Sequence, residues 1–458
     1  MKKFFSVLVL VGLAVSGVAV GQVEPPLVEE ELAVGGAMEV EKVVTTPEIP
    51  PDPEICFLAD TTGSMGPAIV NVQANAVAVM NSIQGSQPTA EFCVGQYKDF
   101  GDVFVFNLDQ AMTGNTTTVQ TAINSWSASG GGDTPEAQLT ALHELATNPA
   151  VGYDGPNRII VWFGDASGHD PSGVNTQASV IADLTTAPGI KVIAIPVNSG
   201  FGDGLDATGQ ATAITGATGG VLLPDATPEQ LSQAILDGLA QLTTDVWWEI
   251  DPATCDAGLN VTLDPAVHLG VPGGTPVNFT ETIAVDNDPA LEGTTLQCVV
   301  TFIANHYPEE GAPIGRELIR ITVPDTTPPT AQCVETVNPH GQTVPKAPAK
   351  GGQGQNQDGY YELLARDLLD PNPAVWLKDT GSGTLFGPFA SGIKVKYVEA
   401  NGATPSQTPM GGNNGNGNGQ ATSVDWQIKG TGDAAVYAVD AAGNTSAEES
   451  CLVPPPPK

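Results

Sequence analysis

Between Glu54 and residue 243, short unbroken apolar runs alternate with stretches whose apolar residues recur at helical spacing, and this alternation restricts the fold more than any other feature. Apolar strands are predicted at Ile55–Ala59, Glu91–Tyr97, Val103–Leu108, Arg158–Gly164 and Lys191–Val197. Helices are predicted at Ala68–Ile83, Thr117–Trp126, Pro135–Thr147, Gln177–Thr185 and Pro228–Leu242. The run Arg158–Gly164 is rich in Ile and Val without polar alternation, as a strand covered on both faces should be. Strands that alternate with helices imply an α/β doubly wound, mostly parallel sheet over residues 54–243. In such a sheet ligands bind where the strands' carboxyl ends open into loops.

From residue 244 the period falls to two. Trp247–Ile250, Leu259–Leu263, Val277–Val285, Leu296–Ile303 and Glu317–Val323 are short strands between Pro and Gly turns, which predicts an all-β sandwich-type module over 244–324. A second all-β module, 325–452, follows Asp325-Thr326-Thr327-Pro328-Pro329. Its strands are Ile393–Val398, Ser423–Ile428 and Ala434–Val439, interrupted by Gly/Asn/Gln-rich inserts at Ala349–Asp358 and Gly411–Gln420. Residues 453–458 form a Pro-rich tail. At the other end, Lys2 and Lys3 precede the apolar core Phe4–Val15, and small residues Ala19 and Gly21 precede Gln22, so residues 1–21 read as a signal peptide. Residues 22–53 are acidic and Pro-bearing and are expected to form an extended spacer.

The chain has 16 Lys plus Arg against 51 Asp plus Glu, a net charge of −35. Nucleic acid and anionic membrane need clustered cationic side chains, so neither is expected as a partner, whereas cations suit this surface. An exported chain can form disulfides, and the six cysteines fall two to a domain. That placement favours Cys255 with Cys298 and Cys333 with Cys451. Cys56 and Cys93 lie in neighbouring predicted strands, and a bridge or two buried thiols are both open there. No Cys/His spacing suggests zinc.

Three loops carry chemistry. The first strand runs into Asp60-Thr61-Thr62-Gly63-Ser64-Met65, whose alternate oxygen-bearing side chains can face one side while Gly63 lets the backbone turn. Mg²⁺ or Ca²⁺ takes an all-oxygen set of this kind. The second loop, Gly130-Gly131-Gly132-Asp133-Thr134-Pro135-Glu136-Ala137, has helix-start logic: Asp133 as N-cap, Pro135 in the first turn, and Glu136 closing a capping box, with Thr134 exposed. The third, Val161-Trp162-Phe163-Gly164-Asp165-Ala166, ends a buried strand in a carboxylate on the same sheet edge as Asp60.

DTTGSM, GGGDTPEA and WFGDA, in that order and spacing, resemble the metal-ion-dependent adhesion site of von Willebrand factor A domains, in the form found in hemicentin-like and integrin-β-like proteins. The resemblance covers about 190 residues. It implies Asp60, Thr62 and Ser64 as ligands from the first loop, Thr134 from the second and Asp165 from the third; Thr62 stands where many relatives have Ser, and the hydroxyl is kept. The later modules resemble immunoglobulin-like or fibronectin type III domains more loosely, through Ala438-Val439-Asp440-Ala441-Ala442-Gly443-Asn444. Asp99 and Asp102 after the second strand, with His169 and Asp170 after Asp165, are candidates for a second cation or for the ligand rim, with loop capping as the alternative. Asp367, Asp370 and Asn372 could bind Ca²⁺ or serve as turn residues.

These features describe a secreted or cell-surface, cation-dependent adhesion or ligand-binding protein whose partner, a protein or glycan, supplies a carboxylate. The alternatives are a structural surface or matrix protein with a stabilising cation, and a serine hydrolase using Ser64, Asp165 and His169. The last lacks the GxSxG elbow, since Thr62 stands two residues before Ser64, and no enzymatic activity is expected.

Overall fold

The computed structural model describes residues 22–305, 311–336, 359–399, 402–410 and 424–451. The proposed signal peptide, both Gly/Asn-rich inserts and the Pro-rich tail lie outside these residues. In chain order the first elements are strands: β1 (Gln22–Glu24), β2 (Leu27–Glu31) and β3 (Ala37–Thr45). The spacer expected over 22–53 is therefore largely sheet. Met38, Val40, Lys42 and Val44 stand at every second position of β3, but the intervening Glu residues and the Lys hide the alternation.

The α/β segment follows: β4 (Pro53–Asp60), α1 (Gly66–Ser86), β5 (Glu91–Tyr97), β6 (Phe106–Thr113), α2 (Thr116–Ile123), α3 (Gln138–Thr147), β7 (Asn157–Gly164), α4 (Gln177–Thr185), β8 (Ile190–Pro196), α5 (Gln210–Thr218), β9 (Val221–Leu222) and α6 (Leu231–Ala240). Its six-stranded sheet has the order β6-β5-β4-β7-β8-β9, parallel except for β6. Every residue of β4 is buried, as the unbroken apolar run requires for a central strand with helices on both faces. One face packs Ile55, Phe57, Val161 and Phe163 against α1 and α6; the other packs Leu58, Trp162 and Val192 against α3, α4 and α5. The strand expected at Val103–Leu108 begins at Phe106, and α3 begins at Gln138 rather than Pro135.

The chain then returns to β-structure: β10 (Thr243–Ile250), β11 (Leu259–Asp264), β12 (Val267–Pro272), β13 (Pro276–Val285), β14 (Thr295–Asn305) and β15 (Ala312–Thr322). Two sheets result, β1-β3-β13-β11 and β12-β10-β14-β15-β2. They meet through Phe279 and Phe302, whose ring centroids are 5.6 Å apart. Both sheets draw on strands before and after the α/β segment, so this sandwich extends beyond the expected 244–324 and carries the α/β domain as an insertion. Pro51 O accepts a hydrogen bond from Asn157 Nδ2 (2.6 Å), and Thr243 O accepts one from Lys191 Nζ. Both crossings thus lie at the amino-terminal ends of β7 and β8, on the sheet edge away from Asp60.

The remaining strands are β16 (Thr330–Glu335), β17 (Gly359–Arg366), β18 (Ala374–Asp379), β19 (Leu385–Phe389), β20 (Ile393–Glu399), β21 (Ser406–Pro409), β22 (Trp426–Gly430), β23 (Ala434–Val439) and β24 (Glu449–Ser450). They form the sheets β16-β17-β20-β22-β21 and β19-β18-β23-β24, with Leu363, Val375, Leu377, Val395, Ile428 and Val436 in the core between them. By compactness the chain divides into two units. One holds the residues up to Glu29, Ala37–Ala284 and Leu296–Arg320; the other holds Glu30–Gly36, Val285–Thr295 and the chain from Ile321 onward. The two expected disulfides, Cys255–Cys298 and Cys333–Cys451, are formed, and so is Cys56–Cys93, which the sequence left open between a bridge and two buried thiols. Cys56 and Cys93 are register partners on β4 and β5 with Cα atoms 4.4 Å apart.

Candidate metal centre

Strand β4 delivers Asp60 to the carboxyl edge of the sheet, and β7 beside it delivers Asp165 one residue past its own end. Asp60 is fully buried, not solvent-facing as a loop residue would be. Thr62 donates to Asp60 Oδ1 twice, from its backbone N–H (2.8 Å) and its hydroxyl (2.7 Å). Ser64 Oγ lies 3.4 Å from Thr62 Oγ1 and donates to Asp165 Oδ1 at 3.0 Å. Four of the five proposed ligands are therefore in one contiguous row, Asp60–Thr62–Ser64–Asp165, made of two hydrogen-bonded pairs whose hydroxyl oxygens lie 3.4 Å apart. The hydroxyl protons of Thr62 and Ser64 both point at carboxylates, so the lone pairs of both oxygens are left for another partner. Asp60 Oδ2 is buried with no hydrogen bond.

The second loop packs over the first. Gly63 N donates to Gly130 O (3.1 Å) and Ser129 N to Thr61 O (3.1 Å). Gly131 has φ +61°, and a Cβ there would stand 2.5 Å from Thr62 Cβ, so both the backbone conformation and the approach require glycine. Thr134 stands on this loop exposed and makes no hydrogen bond among the described residues. The expected capping box does not form. The N-cap of α3 is Ala137, without a side-chain cap, and Glu136 turns inward to become 2% exposed. Its backbone is fixed to the third loop: Glu136 N donates to Ser167 O (2.8 Å), and Glu136 O accepts from His169 N (2.9 Å).

Glu136 lies beside the carboxylates of the site and not in the capping box that its sequence pattern suggests. Asp followed by Glu at i+3 is the capping-box pattern, but the apolar period of the helix, Leu139, Leu142 and Leu145, starts only after it. Its Oε2 is buried without a partner. Burial, followed by repulsion from Asp60, Asp99, Asp102 and Asp165, pushes its pKa up to about 8. Burial also pushes Asp60 up to about 7; the Thr62 hydrogen bonds oppose this, Asp165 adds to it and Lys98 opposes it. Lys98 is the buried cation here, and it donates to Thr61 O, Ser129 O (2.6 Å) and Ser127 O (3.3 Å), tying the first loop to the second. Ser199, also unforeseen, donates to Asp165 Oδ2, and Gly204 N donates to Asp165 O at 2.9 Å.

The candidate rim residues separate. His169 Nε2 is 2.9 Å from Asp99 Oδ1, with Phe100 against its ring at 5.5 Å. Asp102 accepts from Gly131 N (3.0 Å), and so shapes the glycine loop. Asp170 turns away and accepts from Gln177 N (3.1 Å) at the start of α4. Ser64 is bonded to Asp165 and His169 to Asp99, so the described hydrogen bonds do not assemble a Ser64–His169–Asp165 relay. In the last module, Asp370 accepts from Asn372 N (2.8 Å) and Ala441 N (2.9 Å) as a turn residue. Asp367 instead clusters with Asp325 and Asp440, with carboxylate oxygens within 4.8 Å of one another.

Residues 54–195 match the von Willebrand factor A domain family. A putative ariadne-like RING finger protein R811 of Acanthamoeba polyphaga mimivirus is 26% identical over 136 residues, 30% of this chain; the match spans 13% of that protein's length. Among solved structures, a von Willebrand factor type A protein from Catenulispora acidiphila is 14% identical, with 67% of this chain and 74% of that chain covered and a TM-score of 0.35. Proximal thread matrix protein 1 from the mussel byssus is 14% identical, with 44% and 48% covered and a TM-score of 0.33. The SpRpn10 VWA domain is 11% identical, with 40% and 93% covered and a TM-score of 0.30.

Proposed function

We propose that the von Willebrand factor A-type domain serves in cation-dependent adhesion or ligand binding, with Asp60, Thr62, Ser64, Thr134 and Asp165 holding one Mg²⁺ or Ca²⁺. One observation carries this reading. Two hydroxyls with free lone pairs stand between two carboxylates, one of which keeps a buried oxygen, Asp60 Oδ2, without any hydrogen bond. A buried ionised oxygen left without a partner is costly, and an oxygen-preferring cation satisfies it.

When bound, the cation would offer a coordination position to an oxygen from outside the chain. Two carboxylates among five ligands leave its charge incompletely met locally, which favours an anionic oxygen from the partner, such as an Asp or Glu side chain or an acidic glycan. Ser199 and Ser64 hold both oxygens of Asp165, and Lys98 holds the first two loops together. These contacts fix the ligand set before the partner arrives. Asp99 and Asp102 make the surroundings of the site acidic, so an approaching carboxylate is repelled until the cation is in place. Three disulfides support a secreted or cell-surface setting. The β-modules, read as immunoglobulin- or fibronectin-like, would carry the domain.

The test is calorimetric titration of Mg²⁺ and Ca²⁺ into the chain. Capture of a carboxylate-bearing partner would then be compared with cation, with chelator, and after amidation of the partner's carboxylates. Capture that survives both chelation and amidation refutes the reading.

A further inference from the structure

Lys42, Glu281 and Glu317 are buried to 1% exposure or less inside the sandwich. Lys42 on β3 faces Phe279 across the ladder, and Val40 faces Glu281 on β13, so Lys42 and Glu281 are diagonal neighbours on one inner face. Glu317 reaches them from β15 in the opposite sheet. Lys42 Nζ contacts Glu317 Oε1 directly, lies 3.5 Å from Glu281 Oε2 and donates to Pro25 O at 3.1 Å. Both Glu281 oxygens and Glu317 Oε2 are buried without hydrogen bonds. One amine thus faces two carboxyls, and an ion pair alone would leave surplus charge in the core, where desolvation of each ion is severe.

We propose that Lys42 and Glu317 become joined by an amide bond within the folded sandwich, with Glu281 carrying the proton. The uncharged Nζ attacks the Glu317 carboxyl carbon and the N–C bond forms. Glu281 takes a proton from the nitrogen and gives it to the departing hydroxyl; the C–O bond breaks, one water leaves and Glu281 is restored. The ammonium and carboxylate become amide plus water, with no oxidant or reductant involved. In water these ions resist condensation because hydration stabilises them; the dry core removes that hydration. Burial lowers the Lys42 pKa to about 8, which favours the uncharged, attacking amine, and raises that of Glu281, which makes it a better acceptor for the proton it passes on. Fixed approach in a folded core is equivalent to reactant concentrations of about 10⁵–10⁸ M for well-oriented groups. The product contains one acid in place of three ionisable groups, and it links the two sheets covalently.

The reduced, denatured chain should weigh one water less than expected, judged against a Lys42→Arg variant after allowing for the substitution. A digest should yield one branched peptide containing Lys42 and Glu317. Glu281→Gln should fold with its three disulfides and lack both signatures. Full mass with the two peptides recovered separately overturns the proposal and leaves a buried ion cluster. A Glu281→Gln chain that still loses water overturns the proton-carrying role.

Discussion

Removing divalent cations and raising the pH from 5 to 8 should progressively destabilise the α/β domain. Asp60 is fully buried, and burial first, with Asp165 adding to it, moves its pKa from 3.8 to about 7. In the unfolded chain it ionises near its ordinary value of about 3.9. Between those values the folded chain keeps a proton that the unfolded chain has lost. The stability this contributes is fully present below the unfolded pKa and is lost as pH rises through the folded one. At about 1.4 kcal/mol per pH unit, the interval from 3.8 to about 7 corresponds to ~4 kcal/mol, of which the part above pH 5 is ~3 kcal/mol. For a domain of this size a loss of ~3 kcal/mol between pH 5 and 8 is a fall in Tm of roughly 6–12 °C. Glu136, whose pKa is about 8, extends the decline; the same carboxylates repel both groups, so the two contributions do not simply add. A cation bound by these carboxylates would displace the protons, so Mg²⁺ or Ca²⁺ should raise Tm far more at pH 8 than at pH 5. Calorimetric scans in chelator and in cation across this range measure both effects, and Asp60→Asn should flatten the metal-free profile. A metal-free Tm that is constant or rises from pH 5 to 8, or a cation shift equal at both ends, rules out a protonated Asp60 in the metal-free fold.

Ser64→Ala should leave the unfolding transition within about 1 kcal/mol of the parent, because the side chain is only partly buried, while abolishing cation-dependent capture; retained capture in that variant removes Ser64 from the ligand set. Non-reducing peptide mapping should recover Cys56 with Cys93, Cys255 with Cys298 and Cys333 with Cys451, and any free thiol among them contradicts the pairing. Gly202→Ala places a Cβ 1.9 Å from Asp165 O, so it should shift the third loop and weaken cation affinity at least tenfold, about 1.4 kcal/mol, in the same titration.

The parts of the fold legible in the sequence are those where one periodicity acts without interference. β4 and β7 read as buried strands because no charge interrupts Ile55–Ala59 or Ile159–Phe163, and with those strands placed, Asp60 and Asp165 must share an edge. Strand β3 was illegible because Lys42 occupies an inward position where the alternation calls for an apolar residue, and the partners that justify it, Glu281 and Glu317, are more than 230 positions away. Glu136 failed for a local reason: a capping box and a buried acid share the same letters, and only the phase of Leu139 and Leu142 separates them. The neighbouring strands of Cys56 and Cys93 were foreseeable but their register was not, and register decides whether the two sulfurs meet. Nothing in the sequence marks Ser199 as a partner of Asp165, because it reaches the site from the loop after β8, whose end is fixed only by tertiary packing.

The inserted position of the α/β domain also sets an order of events during folding. β3 cannot find its partner until β13 has been made, since Val44 pairs with Val277, and a flexible loop of that length must close before the pairing stabilises anything. If the α/β domain folds first, Pro51 and Thr243 are brought to the ends of the adjacent strands β7 and β8, and the entropic gap across the insertion shrinks to a short span. The domain that carries the candidate cation site would then act as the template on which the two halves of the sandwich meet. A substitution that slows its folding would leave β1–β3 as unpaired strand edges on the nascent chain, open to association with other chains.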